Sequence, residues 1–339
     1  MRGIRFSLVA VLLIASLDTH AQSRLPILDM HLHARGTAYI VANPYPMCAP
    51  FDQMPYWDPK TQELQGGFTC KEPIFPAKTA AEVMQQTIDV MQRRNIIGMV
   101  SGEPELMAQW KAAAPSGRII AGLDLRLGAN EAARHVKARS AAEVRGLHAQ
   151  GVFGVLAEVM AQYEGIAADD LRLEPYWALA EELDIPVGIH MGPGGPGDPY
   201  TCCPGYRARN SSSLRLEEVL VRHPRLRVYI MHAGYPMLED LRALLFAHPQ
   251  VYVDIGGIVY TEPRPAFYRF LQGIVEAGYG ERVMFGSDQM IWPGIIEPSI
   301  KSIEDAPFLN AQQKRDIFYN NAARFLRLSK QDIARHHAM

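Results

Sequence analysis

From residue 25 onward, short apolar segments rich in valine and isoleucine alternate with longer amphipathic ones. The apolar segments predict eight strands, over residues 27–33, 96–101, 119–127, 152–160, 186–191, 226–232, 251–255 and 283–288. Between them, apolar residues recur at intervals of three and four, the period of a helix with one buried face. Such helices are expected over 80–94, 141–150, 176–183, 214–222, 237–247 and 266–277. Proline or glycine follows where three of these helices should stop, at His223-Pro224, His248-Pro249 and Gly278-Tyr279-Gly280.

Continuous apolar strands joined by helical crossovers imply a parallel sheet covered on both faces. Eight such units predict an α/β fold that closes as a (β/α)8 TIM barrel. An open doubly wound sheet would want a glycine fingerprint after its first strand. Here that strand ends His31-Leu32-His33-Ala34, and the glycine-rich stretch at 192–197 follows the fifth strand and contains Pro193 and Pro196. Two connections exceed the usual length. The first βα loop, 34–78, carries Tyr39, Tyr45, Phe51, Tyr56, Trp57 and Phe68; the fifth runs from 192 to about 210. Both leave strand C-terminal ends, the active-site face of a barrel. Residues 310–330 read as a helix closing the barrel, with a short frayed tail behind it.

Composition narrows the partners. With 48% hydrophobic and 21% charged residues, the 339-residue chain buries a large core and is not disordered. Its 34 basic and 36 acidic residues give a formal charge of −2, so no broad basic field is available for nucleic acid. Arg2 and Arg5 precede an apolar run from Leu8 to Leu17, and Ala21 offers a cleavage site, the pattern of a secretory signal over residues 1–21. The run is too short for a stable membrane anchor. The expectation is a single exported domain over 22–339, periplasmic in a Gram-negative bacterium, with the question of a homo-oligomer open. Export permits disulfides. Cys48 and Cys70 share one loop, while Cys202 and Cys203 are adjacent in another, without the C-x-x-C spacing of a zinc knuckle. Structural bridges are expected; three pairings are open, and Cys48–Cys70 is the simplest.

The chemistry collects at strand ends. His31 and His33 lie two apart on a strand, so both imidazoles point to one side. Glu158, His190, His232 and Asp288 stand near the ends of strands four, five, six and eight. Most other histidines, His135, His148, His223, His248, His336 and His337, fall in helical or terminal segments, and His20 is in the signal. Six nitrogen and oxygen donors at one barrel face suit a divalent cation, zinc first among them, with one or two per chain. Such a metal activates water and polarises a carbonyl. Asp288 is the natural proton acceptor, and His232 is either a ligand of a second metal or a catalytic hydrogen-bonding group.

These strands resemble the amidohydrolase superfamily, specifically its amidohydrolase-related group. The resemblance rests on Asp29-Met30-His31-Leu32-His33, Gly188-Ile189-His190, Met231-His232-Ala233-Gly234, Val253-Asp254-Ile255-Gly256-Gly257, Arg282 through Asp288, and Asn321-Ala322-Ala323-Arg324-Phe325-Leu326. It implies a metal-dependent barrel enzyme, usually hydrolytic, with His31, His33 and Asp288 on a first metal and His190 and His232 on a second. Where many relatives carry a modified lysine this chain has Glu158, which resembles a bridging glutamate and a two-metal site. A one-metal form would resemble the decarboxylases of the group, with His31, His33, His190 and Asp288 as ligands and His232 free. The expected function is therefore hydrolysis of an ester, lactone or amide bond in a small organic substrate. Decarboxylation of an aromatic carboxylate, or non-catalytic metal binding, are the alternatives. Arg126, Arg207 and Arg209 are candidates for a substrate carboxylate, and Trp57 and Tyr163 for further substrate contact.

Overall fold

In a computed structural model, residues 24–66, 70–128 and 136–339 are described. The expected signal over 1–21 lies outside them, as do Phe68 and His135. All eight predicted strands are present: β1 (Ile27–His33), β2 (Ile96–Gly102), β3 (Ile119–Leu123), β4 (Leu156–Val159), β5 (Val187–His190), β6 (Val228–Met231), β7 (Tyr252–Asp254) and β8 (Val283–Met284). Parallel pairing runs β1-β2-β3 and β4-β5-β6-β7-β8. Two seams join these arcs. Leu123 and Leu125 donate backbone N–H groups to Val155 and Glu158 at 3.0 and 2.8 Å, and Met30 and His33 donate to Phe285 and Gln289 at 2.9 Å each. The ladder thus passes around the full circle, and the fold is the expected TIM barrel.

Alternate residues along the strands enter two different cores, as the period of two requires. Leu28, Met30, Ile97, Met99, Val155, Ala157, Tyr229, Met231 and Met284 form one cluster with Tyr319, Ala322 and Phe325. Their neighbours Ile27, Ile96, Val100, Leu156, Val228, Ile230 and Val283 join the larger core with the surrounding helices, as does Leu32 after a register shift in β1. Above the inner cluster, the buried side chains change from apolar to His, Asp and Glu, which is where the site begins.

Several strands are shorter than the apolar runs that predict them. The pairing of β8 with β7 ends at Met284, while the following residues bond to β1, where Asp288, with φ of 55°, donates its N–H to the carbonyl of His31 at 2.7 Å. The long first loop contains a short helix, Thr37–Ala42, and a two-stranded hairpin, Tyr56–Asp58 against Glu63–Gln65. A disulfide joins Cys48 to Cys70 in this loop, and Cys202 is bonded to Cys203 in the fifth. A helix that the periodicity does not single out, Pro104–Ala113, starts with proline at its first turn and buries Met107 and Trp110.

The C-terminus departs from expectation. The closing helix is divided into Ala311–Arg315, a wider turn over Asp316–Asn320, and Asn321–Phe325. The expected frayed tail is instead a helix, Lys330–His337, started by a capping box between Ser329 and Asp332. His336 on this helix is buried, with Nδ1 2.9 Å from the Tyr319 hydroxyl. That contact docks the tail.

Candidate active site

The residues singled out at strand ends converge on one buried cluster at the C-terminal face of the barrel. Asp288 Oδ1 lies 3.3 Å from Nε2 of both His31 and His33, and Glu158 Oε2 lies 3.5 Å from His33 Nε2. Glu158 Oε1 is 3.9 Å from Nε2 of both His190 and His232. The rings of His31 and His232 have centroids 5.0 Å apart, and those of His190 and His232 4.5 Å apart. Two donor groups share His31: His31, His33 and Asp288, and His31, Glu158 and His232, each with ligand atoms within 4.8 Å of one another. A third group, Asp198, Cys202 and Cys203, has both sulfurs committed to a disulfide.

Every imidazole is tied through Nδ1 to an outer partner. His31 Nδ1 lies 3.0 Å from Asp254 Oδ2, and His33 Nδ1 lies 2.9 Å from Ser101 Oγ. His232 Nδ1 donates to the Gly256 carbonyl at 2.8 Å, because a carbonyl only accepts. His190 Nδ1 lies 2.9 Å from Gln162 Oε1. Each Nε2 is thereby aimed inward. Among the described residues, the buried Nε2 atoms of His31 and His232 make no hydrogen bond. Polar atoms that are buried and unpaired are costly, which makes these two inward-facing nitrogens candidate ligand atoms. The donor set fits a divalent cation.

Charge supports the same fit. Burial pulls the His31 pKa down, but Asp254, Asp288 and Glu158 outweigh it and hold the imidazole up at about 10. Burial pushes Glu158 and Asp288 up, yet the surrounding histidines hold both below the ordinary carboxylate range. Burial holds His190 down, at about 3. Two buried carboxylates thus call for positive charge, which a metal supplies without protonating a ligand.

The backbone is specialised where the candidate ligands sit. His232 and Asp288 adopt left-handed φ of 62° and 55°. Such a conformation costs about 1–2 kcal/mol for an ordinary residue and is held by the surrounding bonds. A side chain at Gly256 would place its Cβ 2.5 Å from His31 Nδ1, and one at Gly257, with φ of 70°, would sit 3.0 Å from Asp288 Oδ2. Both glycines let the backbone pass close behind His31 and Asp288.

The substrate candidates divide. Tyr163 reaches the cluster, with its hydroxyl 3.0 Å from His190 Nε2. Arg126 is half-buried past the end of β3, and its Nε is buried without a hydrogen-bond partner among the described residues. Arg207 is exposed and donates to the carbonyls of Pro204 and Tyr206 at 2.7 Å each, so its guanidinium serves its own loop instead of the cluster. Arg209 is exposed as well. Trp57 stacks on Tyr200 at 5.5 Å and joins the first loop to the fifth, a bridge between loops in place of a contact to the ligand cluster.

Sequence reasoning assigns no role to Asp254, yet this carboxylate organises the site. Its Oδ2 holds His31, while its Oδ1 accepts the N–H groups of His232 and Gly256 at 3.1 and 2.8 Å. The available signal was a lone acid at the end of an apolar strand, within the motif that continues through Gly256 and Gly257. Gln162, Ser101 and the buried Arg35–Asp124 pair, at 2.6 Å, carry no comparable sequence signal. Asp124 Oδ1 also accepts the backbone N–H of Glu158 at 3.1 Å, so this pair braces the fourth-strand carboxylate.

A TIM barrel with imidazoles and carboxylates gathered at its C-terminal face defines a metal-dependent class of enzyme. The chain belongs to the amidohydrolase family, whose model matches residues 28–328. No curated protein sequence matches this chain. Among solved structures, it is similar to an uncharacterised TIM-barrel protein from Bordetella bronchiseptica, 19% identical over 91% of this chain and 100% of that one, with a TM-score of 0.61. It is also similar to 5-carboxyvanillate decarboxylase from Sphingomonas paucimobilis, 16% identical over 90% and 100%, with a TM-score of 0.57. A third is a probable 2-pyrone-4,6-dicarboxylic acid hydrolase from Acinetobacter baumannii, 14% identical over 89% and 99%, with a TM-score of 0.56. At these identities the likeness concerns the fold.

Proposed function

We propose that the protein hydrolyses an ester, lactone or amide bond in a small organic substrate, using a zinc ion held by His31, His33 and Asp288. The observation that carries this reading is the convergence of two unpaired histidine Nε2 atoms and two carboxylates in one buried cluster. Glu158 and His232 face the same space and extend the donor set. Bound there, zinc supplies Lewis acidity at the scissile carbonyl and a water of lowered pKa.

The chain's own groups perform the remaining work. Asp288 Oδ1 faces His31 and His33, leaving Oδ2 to receive a proton and return it to the leaving group. With Nδ1 donating to Gly256, His232 in its neutral form presents a lone pair at Nε2, through which it orients the attacking group as an acceptor or acts as a ligand. Arg126, whose buried Nε has no partner among the described residues, is the cation we assign to a substrate carboxylate.

Decarboxylation of an aromatic carboxylate is a second reading of the same site. It is favoured by the unengaged His232 Nε2, which a one-metal site would leave free, and one structural relative bears a decarboxylase name. We further propose an exported protein, a reading supported by the basic-then-apolar segment at residues 2–17 and by the paired cysteines.

The test is turnover of a panel of chromogenic esters, lactones and amides together with aromatic carboxylates, with product identification. Acid plus alcohol or amine supports hydrolysis, and carbon dioxide release supports the second reading. Asp288→Asn should lower turnover about 1,000-fold or more while the fold is retained, in the range seen when a proton-transfer group is lost. A variant as active as the wild type removes Asp288 from the chemistry.

A further inference from the structure

The four inward-facing imidazoles are not equivalent. Among the described residues, His31 and His232 leave Nε2 without a hydrogen bond, and His33 Nε2 faces the two carboxylates. His190 Nε2 instead meets the hydroxyl of Tyr163 at 3.0 Å.

The direction of that bond follows from Gln162. Its Nε2 donates to the Gly192 carbonyl at 3.1 Å and approaches Ser211 Oγ at 2.9 Å, which fixes the amide orientation. Its Oε1 therefore accepts, from the Gly192 N–H at 3.2 Å and from His190 Nδ1 at 2.9 Å. A neutral imidazole that donates at Nδ1 has one lone pair left, at Nε2. The Tyr163 hydroxyl donates to it. A ring nitrogen lone pair serves one partner, so Tyr163 stands where a metal bound by His190 would stand.

We propose that Tyr163 competes with metal for His190 Nε2 and holds a second metal position closed. This position is the gap where Glu158 Oε1 lies 3.9 Å from both His190 and His232. The inference rests on the metal reading given above. The turn that carries Tyr163, Ala161–Glu164, is anchored by Gln162 and by the Glu164 carboxylate, which accepts from Leu127 and Gly128 at 3.0 and 2.8 Å. The backbone is thus pinned, and opening the position requires only that the tyrosine side chain turn away. Its ring packs on those of His190 and Tyr206, with centroids at 4.5 and 6.0 Å, so the cap is seated but covalently free. The set formed by His31, His33 and Asp288 does not involve the tyrosine. The chain holds one ion tightly there and a second only weakly.

The experiment is calorimetric titration of metal-stripped full-length protein with Zn2+ alone, for the wild type, Tyr163→Phe and His190→Ala. The wild type should bind one tight equivalent and a second at least about tenfold weaker. Tyr163→Phe keeps the ring and removes the donor, so the second equivalent should tighten about three- to tenfold, the worth of one hydrogen bond no longer to be broken. The first equivalent should stay within about twofold, a selectivity that general loosening of the site would not produce. His190→Ala should lose the second equivalent and keep the first. Two equally tight equivalents in the wild type, or a second equivalent unchanged in Tyr163→Phe, overturn the proposal. Absence of any binding in all three proteins overturns the metal reading itself, a distinguishable failure.

Discussion

Asp254→Asn probes the organisation of the site without emptying it. The native carboxylate divides its oxygens: Oδ1 accepts two backbone N–H groups, from His232 and Gly256, and Oδ2 faces His31 Nδ1 at 3.0 Å. Asparagine keeps an oxygen for the backbone pair but presents an NH2 group to His31 Nδ1. Two donors cannot share that bond, so His31 must carry its proton on Nε2, the atom that lies 3.3 Å from Asp288 Oδ1. The lone pair required for metal is then lost. Removing an outer partner of a metal-bound histidine typically costs 10- to 100-fold in metal affinity. The wrong tautomer places this variant at the upper end, about 100-fold, equivalent to about 2.7 kcal/mol. Folding should suffer by only about 1.5–3 kcal/mol, the worth of one hydrogen bond to a charged group, because the backbone acceptor survives. Zinc titration gives the first quantity and urea unfolding of metal-free protein the second. A variant that folds and binds zinc within about threefold of the wild type would refute the role given to Asp254.

Two further outcomes follow from the geometry. Asp198 is buried, and burial raises its pKa from 3.8 to about 6, so the fold prefers it protonated. Its contribution is most favourable below about pH 4 and is lost as pH rises through about 6, by about 3 kcal/mol in all. Asp198→Asn should retain the bond from the Gly195 N–H and gain stability relative to the wild type between pH 4 and 7 in urea unfolding; parallel pH profiles would contradict this. Gly256→Ala would set a methyl 2.5 Å from His31 Nδ1. The imidazole must then move, and zinc affinity should fall at least about tenfold; an unchanged titration would mean that the backbone there yields instead.

The barrel was legible because its strands are buried on both faces and read as continuous Val- and Ile-rich runs, and because Gly or Pro stops several helices. Strand ends were less legible. Leu125 and Leu127 after Leu123, and Phe285 after Met284, keep the apolar run going among polar residues, and only hydrogen bonding with neighbouring strands decides where the regular ladder stops. The candidate ligands stood out because histidine and acid interrupt apolar runs at repeated positions, from His31 to Asp288. Their supporters did not. Gln162 and Ser101 are common residue types whose meaning comes from the imidazole each meets across the barrel, and Arg35 pairs with Asp124 across 89 positions of sequence. The C-terminal helix was missed because its polar sequence buries little beyond His336, whose partner Tyr319 is seventeen residues away.

Stripping bound metal with a chelator, measuring turnover on the best substrate of the panel, and restoring Zn2+ tests the catalytic role of the cluster most directly. Turnover should vanish with the metal and return with about one equivalent per chain in the wild type, but not in a folded His31→Ala variant. Full turnover by protein shown to be free of metal would contradict it.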